Sequence, residues 1–510
     1  MSPPFILAIL VALLVSFLFN LRATSFWSRR HPKNDRKLPP GPPALPIIGN
    51  LYMLGNLPHR SLYHLFKKYG PIMSMRLGSI PAIVVSSPQA AELFLKTHDV
   101  VFASRPIIQA SVYMCYGNKG MAFSEYGPYW RSIRKLCTLQ LLSPSKIEYF
   151  APMRIEEVRL LVNSLKKAAA AREAVDISLG VGDLIRNMSC KLVFGEANID
   201  EFDLKLLIKE ALNLTGAFNI ADYVPFLGAF DLQGLKKRMK AFSKKMDKIL
   251  DKIIDEHERK AQWQKQQQIR DFVDVLLSLM NQPTAASNDE SLFTLDRTNI
   301  KAILQDMIIG SFDTSAITIE WTLTEPLRHP SAMKRLQDEL QSVVGLDKMV
   351  EEKDLSNLPY LDMVIKESLR LHPVGPLLIP RSCMEEIIID GYHIPKKARI
   401  IVNAWGIGRD PDVWSDNAEE FLPERFAAKS IDIRGRDFEF LPFGSGRRGC
   451  PGMQLGLTVV RLVIAQLVHC FNWELPDGVL PGELDMSEVF GLSLPRASHL
   501  VVVPKYRLGI

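Results

Sequence analysis

The chain has 510 residues, 47% apolar and 23% charged, with a formal net charge of +6. That length suits about three average domains or one large fold, and internal repeats and long low-complexity tracts are absent. Residues 1–37 hold six Lys/Arg and one Asp, so nearly all the excess charge is N-terminal, and a near-neutral remainder is unlike a nucleic-acid binder.

Pro3 to Leu21 runs 19 residues without a charge, just enough to span a bilayer as a helix. A signal peptide would need a basic start and a shorter apolar core. Arg22, Arg29, Arg30, Lys33, Arg36 and Lys37 all follow the span, which places the C-terminal side in the cytosol. Residues 1–22 are therefore expected to be a transmembrane signal-anchor, and residues 23–45 a basic, proline-rich hinge. Leu38-Pro39-Pro40-Gly41-Pro42-Pro43 reads as a stiff joint, favoured by its position over a ligand for a proline-reading module. The body is expected over residues 46–510.

Strand-like runs come first, at Ile72–Leu77 and Ala82–Ser86. Trp130-Arg131-Ser132-Ile133-Arg134-Lys135 places Trp130 and Arg134 on one helix face. The apolar run Tyr223–Phe230 precedes Lys236, Lys237, Arg238 and Lys240. It reads equally as an interfacial membrane patch or as an ordinary loop before a solvated helix. Lys237 to Gln268 is a charged amphipathic stretch. A long, largely apolar helix is predicted from Asp296 to about Leu323, with Pro326 and Pro330 ending it. Its polar interruption, Gly310-Ser311-Phe312-Asp313-Thr314-Ser315, sets an acid beside an alcohol, a pair able to deliver protons. Thr314 could equally bond back to its own helix.

Glu367 and Arg370 lie three apart on one helix face, a common surface pair by itself. Strand character returns at Ile387–Ile394 and Ile400–Val402. Few short strands among many helices predict a mainly α fold with a small β-sheet. Six cysteines (115, 137, 190, 383, 450 and 470) show no C-x-x-C spacing, which argues against a zinc site and a disulfide framework and fits a reducing compartment. One of them, Cys450, stands in Phe443-Gly444-Ser445-Gly446-Arg447-Arg448-Gly449-Cys450-Pro451-Gly452, just before the apolar helical run Met453–Cys470. A helix N-terminus favours a thiolate, and a neighbouring arginine is expected to lower the thiol pKa. The glycines let the backbone approach something flat and large.

The pattern F-x-x-G-x-R-x-C-x-G, matched at every fixed position, resembles the haem-binding loop of the cytochrome P-450 family. The likeness extends from Leu38 to the C-terminus and includes Trp130/Arg134, Asp313-Thr314, Glu367/Arg370 and Phe421-Leu422-Pro423-Glu424-Arg425-Phe426. It implies the P-450 fold, preceded by a single N-terminal transmembrane helix. It also implies haem b with Cys450 as its axial, metal-binding ligand, and Phe443 packed on the ring. Trp130, Arg134, Arg381 and Arg448 would meet the propionates, and Asp313 and Thr314 would deliver protons to dioxygen. Glu367, Arg370 and Arg425 would form a buried charge network behind the haem loop. By family position the substrate pocket would draw on Tyr113, Met114, Tyr116, Phe218, Met307, Ile308, Val374, Leu377, Leu378, Val489, Phe490 and Leu492. It is mostly apolar, without an obvious charged anchor.

The resemblance is to the plant microsomal class that serves specialised metabolism. It implies a monooxygenase of the endoplasmic reticulum membrane, facing the cytosol, for a small lipophilic substrate; a terpenoid such as a sesquiterpene is favoured, then a phenylpropanoid-derived aromatic. No G-x-G-x-x-G fingerprint is visible, so NADPH and flavins would act through a separate NADPH-cytochrome P-450 reductase, docking near Arg131, Lys135 and Arg447. Alternatives are a same-fold isomerase or dehydratase, which would not need Asp313-Thr314, and a non-catalytic haem carrier or sensor, which would form no product. A membrane protein without haem would be colourless.

Overall fold

The computed structural model describes residues 37–195, 204–263, 271–281, 283–284, 293–476 and 478–509. The expected transmembrane span lies outside the described residues. Helices dominate, and the largest sheet has four strands. β1 (Ile72–Leu77) and β2 (Ile80–Val85) form an antiparallel hairpin, turned at Gly78 with φ +61°. A side chain at Gly78 would also strike the Tyr223 carbonyl. β3 (Arg381–Ser382) is antiparallel to β4 (Arg399–Val402), which runs parallel to β2, giving the order β1-β2-β4-β3. Ala82–Val85 and β4 are buried throughout, as parallel strands covered on both faces must be. The strand character predicted over Ile387–Ile394 forms a small hairpin. Asp390 and Gly391, both at positive φ, turn the chain between Ile389 and Tyr392.

From Lys37 onward the proline-rich segment is tied to the body by hydrogen bonds. Proline has no N–H, but its carbonyl still accepts. Ser74, on β1, donates its N–H to Pro40 O at 2.8 Å and its hydroxyl to Pro39 O at 2.7 Å, and His393 N–H donates to Lys37 O at 2.8 Å.

Helix α1 (Pro128–Leu136) starts with proline at its first turn and buries Trp130 and Ile133. The long helix expected from Asp296 is two pieces, α2 (Arg297–Phe312) and α3 (Thr314–Arg328), which break at Asp313. Asp296 caps α2 by accepting the Asn299 N–H at 2.6 Å. Pro326 does not end α3, contrary to expectation. It lies close enough to the C-terminus to forfeit a single backbone bond, and the helix closes at His329, whose N–H donates to the carbonyls of Glu325 and Pro326. Pro330 then opens the next helix, Pro330–Val344. Helix α4 (Pro359–Leu371) carries Glu367 and Arg370.

Helix α5 (Met453–Cys470) is long and apolar enough to cross a bilayer by composition, yet Val459 to Cys470 is nearly all buried. It is the central core helix, packed with α3, α4 and Pro330–Val344 in the largest apolar cluster. α3 and α5 thereby bring Thr314 and the Cys450 loop to the lining of one cavity.

Candidate active site

The loop Phe443–Gly452 is tied by its own backbone. Cys450 N–H donates to Phe443 O at 2.9 Å, and Gly449 N–H to Gly446 O at 3.0 Å. Gly444 and Gly446 both take φ +67°, and a side chain on Gly446 would overlap Asp99 and the Leu95 carbonyl. Asp99 anchors the loop from outside: it accepts Arg447 N–H at 3.0 Å, Arg447 Nη1 at 2.9 Å and Arg381 Nη1 at 2.8 Å. Cys450 is the single exposed cysteine of the six, and it opens onto the cavity. Burial pushes its thiol above the ordinary cysteine value. The Gly452 and Met453 amides and Arg134 pull the other way. The cation acting on the thiol is thus Arg134, across the cavity wall, rather than a loop neighbour.

Arginines crowd one wall. Arg448 donates to the carbonyls of Ala103 (2.6 Å), Met121 (3.2 Å) and Ser124 (2.5 Å), and its guanidinium lies 4.2 Å from the Trp130 ring centre. Burial, with repulsion from Arg381 and Arg134, holds Arg448 down to about 9. Arg134 donates to Gly449 O at 2.8 Å, and Arg381 to Ser445 O at 2.5 Å. A fourth cation, Arg105, is buried in the same wall, donating to the carbonyls of Ala122 (3.1 Å), Ile379 and Pro380 (3.0 Å). Burial and then Arg448 and Arg381 press it well below the arginine range. Sequence reasoning missed Arg105, since a lone arginine in Ala103-Ser104-Arg105-Pro106 carries no spacing signal. Trp130 lines the cavity but spends its indole N–H on Met121 O at 3.0 Å, so its role here is to support Arg448.

The break between α2 and α3 also borders the cavity. Thr314 faces the cavity, its hydroxyl donating to Gly310 O at 2.9 Å. A methyl on Gly310 would meet nothing within 4 Å, so space is open there. Ser311 lines the cavity with its hydroxyl turned back to Ile308 O at 3.3 Å. Asp313 is not among the lining residues. Its carboxylate accepts the Ser493 hydroxyl at 3.0 Å, and Ser493 does line the cavity. Burial raises the Asp313 carboxyl, and the Ser493 bond partly offsets this.

The cavity measures about 430 Å³, with mostly apolar walls. Met114, Met307, Val374, Leu378 and Leu492 line it as expected; the other seven expected pocket residues do not. Tyr116 turns to Asp247, donating at 3.2 Å. Tyr113 lies under Lys236 and Lys240. Phe218 stacks on Tyr223, and Phe490 on His59. Ile308 of α2 is buried in a neighbouring apolar cluster, Leu377 packs near the sheet, and Val489 is exposed. A charged residue does reach the wall, contrary to expectation: Asp306 of α2, whose carboxyl burial pushes up to about 6.

The donor set fits a flat group with an acidic edge and a metal at its centre. Of Arg105, Arg134, Arg381 and Arg448, only Arg381 meets a carboxylate among the described residues, Asp99, which it shares with the exposed Arg447, and buried cations need anionic partners. Two propionates would supply that charge, and the Cys450 thiol would ligate the metal. Behind the loop the expected charge network is present and buried. Glu367 binds Arg370 through two bonds of 2.7 Å and Arg425 Nε at 2.8 Å, and Arg370 donates to the carbonyls of Gly408 and Ala418 at 2.6 Å.

Fold and site together describe a haem-thiolate enzyme. The family model for Cytochrome P450 matches residues 39–502. Cytochrome P450 CYP736A12 of Panax ginseng is 59% identical over 476 residues, covering 93% of this chain and 95% of that protein. Costunolide synthase of Lactuca sativa is 41% identical, covering 94% and 96%. A zebra fish cytochrome P450 structure with abiraterone is 26% identical, with TM-score 0.72, covering 88% of this chain and all of that one. The chain belongs to the cytochrome P450 family. It is a plant-type haem-thiolate monooxygenase that depends on a reductase for electrons and incorporates one oxygen atom into its product.

Proposed function

We propose that the enzyme hydroxylates a small lipophilic metabolite of plant specialised metabolism, with a terpenoid such as a sesquiterpene favoured and a phenylpropanoid-derived aromatic next. The apolar cavity between Thr314 and Cys450 carries this reading. The likeness to costunolide synthase supports the terpenoid class. When bound, haem supplies the activation of dioxygen and the transfer of one oxygen atom. Cys450 is the thiolate ligand, Phe443 packs on the ring, and Arg134, Arg381 and Arg448, joined by Arg105, hold the acidic edge, with Trp130 bracing Arg448. Asp313 passes protons through the Ser493 hydroxyl toward the cavity, where Thr314 orients them.

The body faces the cytosol from the endoplasmic reticulum membrane, held by residues 1–22. The exposed Phe226 and Phe230, ahead of the exposed Lys237, Arg238 and Lys240, support a second contact with the membrane surface. Arg131, Lys135 and Arg447 are exposed on the loop side and suit an acidic reductase surface. Co-expression with a plant NADPH-cytochrome P-450 reductase, fed a panel of terpenes and phenolics under isotope-labelled dioxygen, tests the substrate class. One labelled oxygen in a terpene product is expected. Turnover of phenolics alone would replace the terpenoid reading, and no product from either would overturn both.

A further inference from the structure

The backbone of Met121 and Ala122, beside the cavity, is gripped from both sides, and the peptide joining them is held at both its N–H and its C=O. Asp306 Oδ2 accepts the N–H of Met121 at 2.5 Å and of Ala122 at 3.0 Å. The carbonyls of the same two residues meet the cationic wall. Met121 O accepts Trp130 Nε1 at 3.0 Å and Arg448 Nη1 at 3.2 Å, and Ala122 O accepts Arg105 Nε at 3.1 Å. A carboxylate thus lies on one edge of the strap and guanidiniums on the other, with the peptides between them. Gly120 completes the fit, because a methyl there would overlap the Asp306 carboxylate. Among the described residues Asp306 has no cationic partner, so its charge rests on these amides, and burying it so is costly without a return.

We propose that Asp306 is a positioning residue: by holding the Met121–Ala122 peptides it aims Arg105 and Arg448 at the acidic edge of the haem. A guanidinium has five donors in a rigid fork, so the carbonyls that take some of them decide where the rest point. If the strap turns, both carbonyls turn with it and both arginines lose their bracing. This rests on the haem reading of the cavity. Failure of that reading shows separately, as wild-type protein purified without haem.

The test uses the haem-loaded full chain in detergent, with Asp306→Asn, Asp306→Leu and Gly120→Ala. Leu336→Ala is the control for general destabilisation, since Leu336 is buried in Pro330–Val344 and does not line the cavity. Two readouts are taken: the rate of haem transfer to excess apomyoglobin, and the propionate bending bands in the resonance Raman spectrum. Asp306→Leu and Gly120→Ala are each expected to lose haem about tenfold faster and to shift the propionate bands. Asp306→Asn keeps an oxygen able to accept both N–H bonds and should fall between them and wild type. The Gly120→Ala/Asp306→Leu double variant should be little worse than either single one, because both loosen one contact. The control should leave the bands in place. Should Asp306→Leu fail to fold, Gly120→Ala decides. Wild-type haem loss and bands in Gly120→Ala, or the same changes in Leu336→Ala, would overturn the proposal.

Discussion

Thr314 spends its hydroxyl on the Gly310 carbonyl while lining the cavity, and Asp313 reaches that cavity only through Ser493. A hydroxyl so placed can be replaced without touching the loop that holds the cofactor. Thr314→Ala is therefore expected to keep its haem and raise the hydrogen peroxide formed per NADPH consumed several-fold, since protons no longer arrive in register with electrons. An unchanged ratio would make Thr314 a packing residue. At this scale the sequence was readable where a motif multiplied weak signals. Cys450 sits among fixed positions and lies where expected, whereas Arg105 and Asp306 belong to no spacing pattern. Their roles come from burial beside Met121 and Ala122, a long-range contact that no local periodicity encodes.

Elements were legible where the apolar period was long and uninterrupted. Ile72–Leu77 and Met453–Cys470 match the sequence reading end to end. Pro326 misled because proline costs one bond near a C-terminus, not a helix. The hairpin turns at Asp390-Gly391, the dipeptide around which the sequence placed its strand character. The Glu367–Arg370–Arg425 network sits between elements, linking α4 to the Phe421–Phe426 segment, and removing one member strands a buried charge. Glu367→Ala is expected to cost about 3–5 kcal/mol. Chemical denaturation should show it, together with weakened haem retention as the loop loses its backing. A cost below about 1 kcal/mol, in the range of a surface pair, would contradict the assignment.

For the molecule as a whole, the charge asymmetry makes a topological prediction. Asn187 and Asn213 head two glycosylation sequons, and both asparagines are exposed, so a lumenal body would accept glycans there. Expression in a eukaryotic cell should give a chain unaffected by glycosidase. A mass shift removed by Asn187→Gln or Asn213→Gln would reverse the orientation and cut the enzyme off from its reductase.

Acid stability is also a global property. Burial raises the Glu325 carboxyl, but bonds from His329 and His372 outweigh it and hold it down to about 2. His372, kept toward neutral by burial, still donates Nε2–H at 2.6 Å. A depressed carboxyl stabilises the fold fully above its unfolded value near 4.5, and that contribution, roughly 2–3 kcal/mol at most, fades as pH falls toward 2. Glu325→Gln should flatten the decline of the melting temperature between those values. An equally steep decline would mean the pair carries no linked stability.

The measurement closest to the core of this account is the absorption spectrum of the reduced, carbon monoxide-treated full chain, wild type against Cys450→Ser. Wild-type protein should show the long-wavelength band of thiolate-ligated haem. Cys450→Ser should lose both the band and all turnover, while Cys115→Ser, Cys137→Ser and Cys470→Ser keep them. A band that survives in Cys450→Ser would contradict the site.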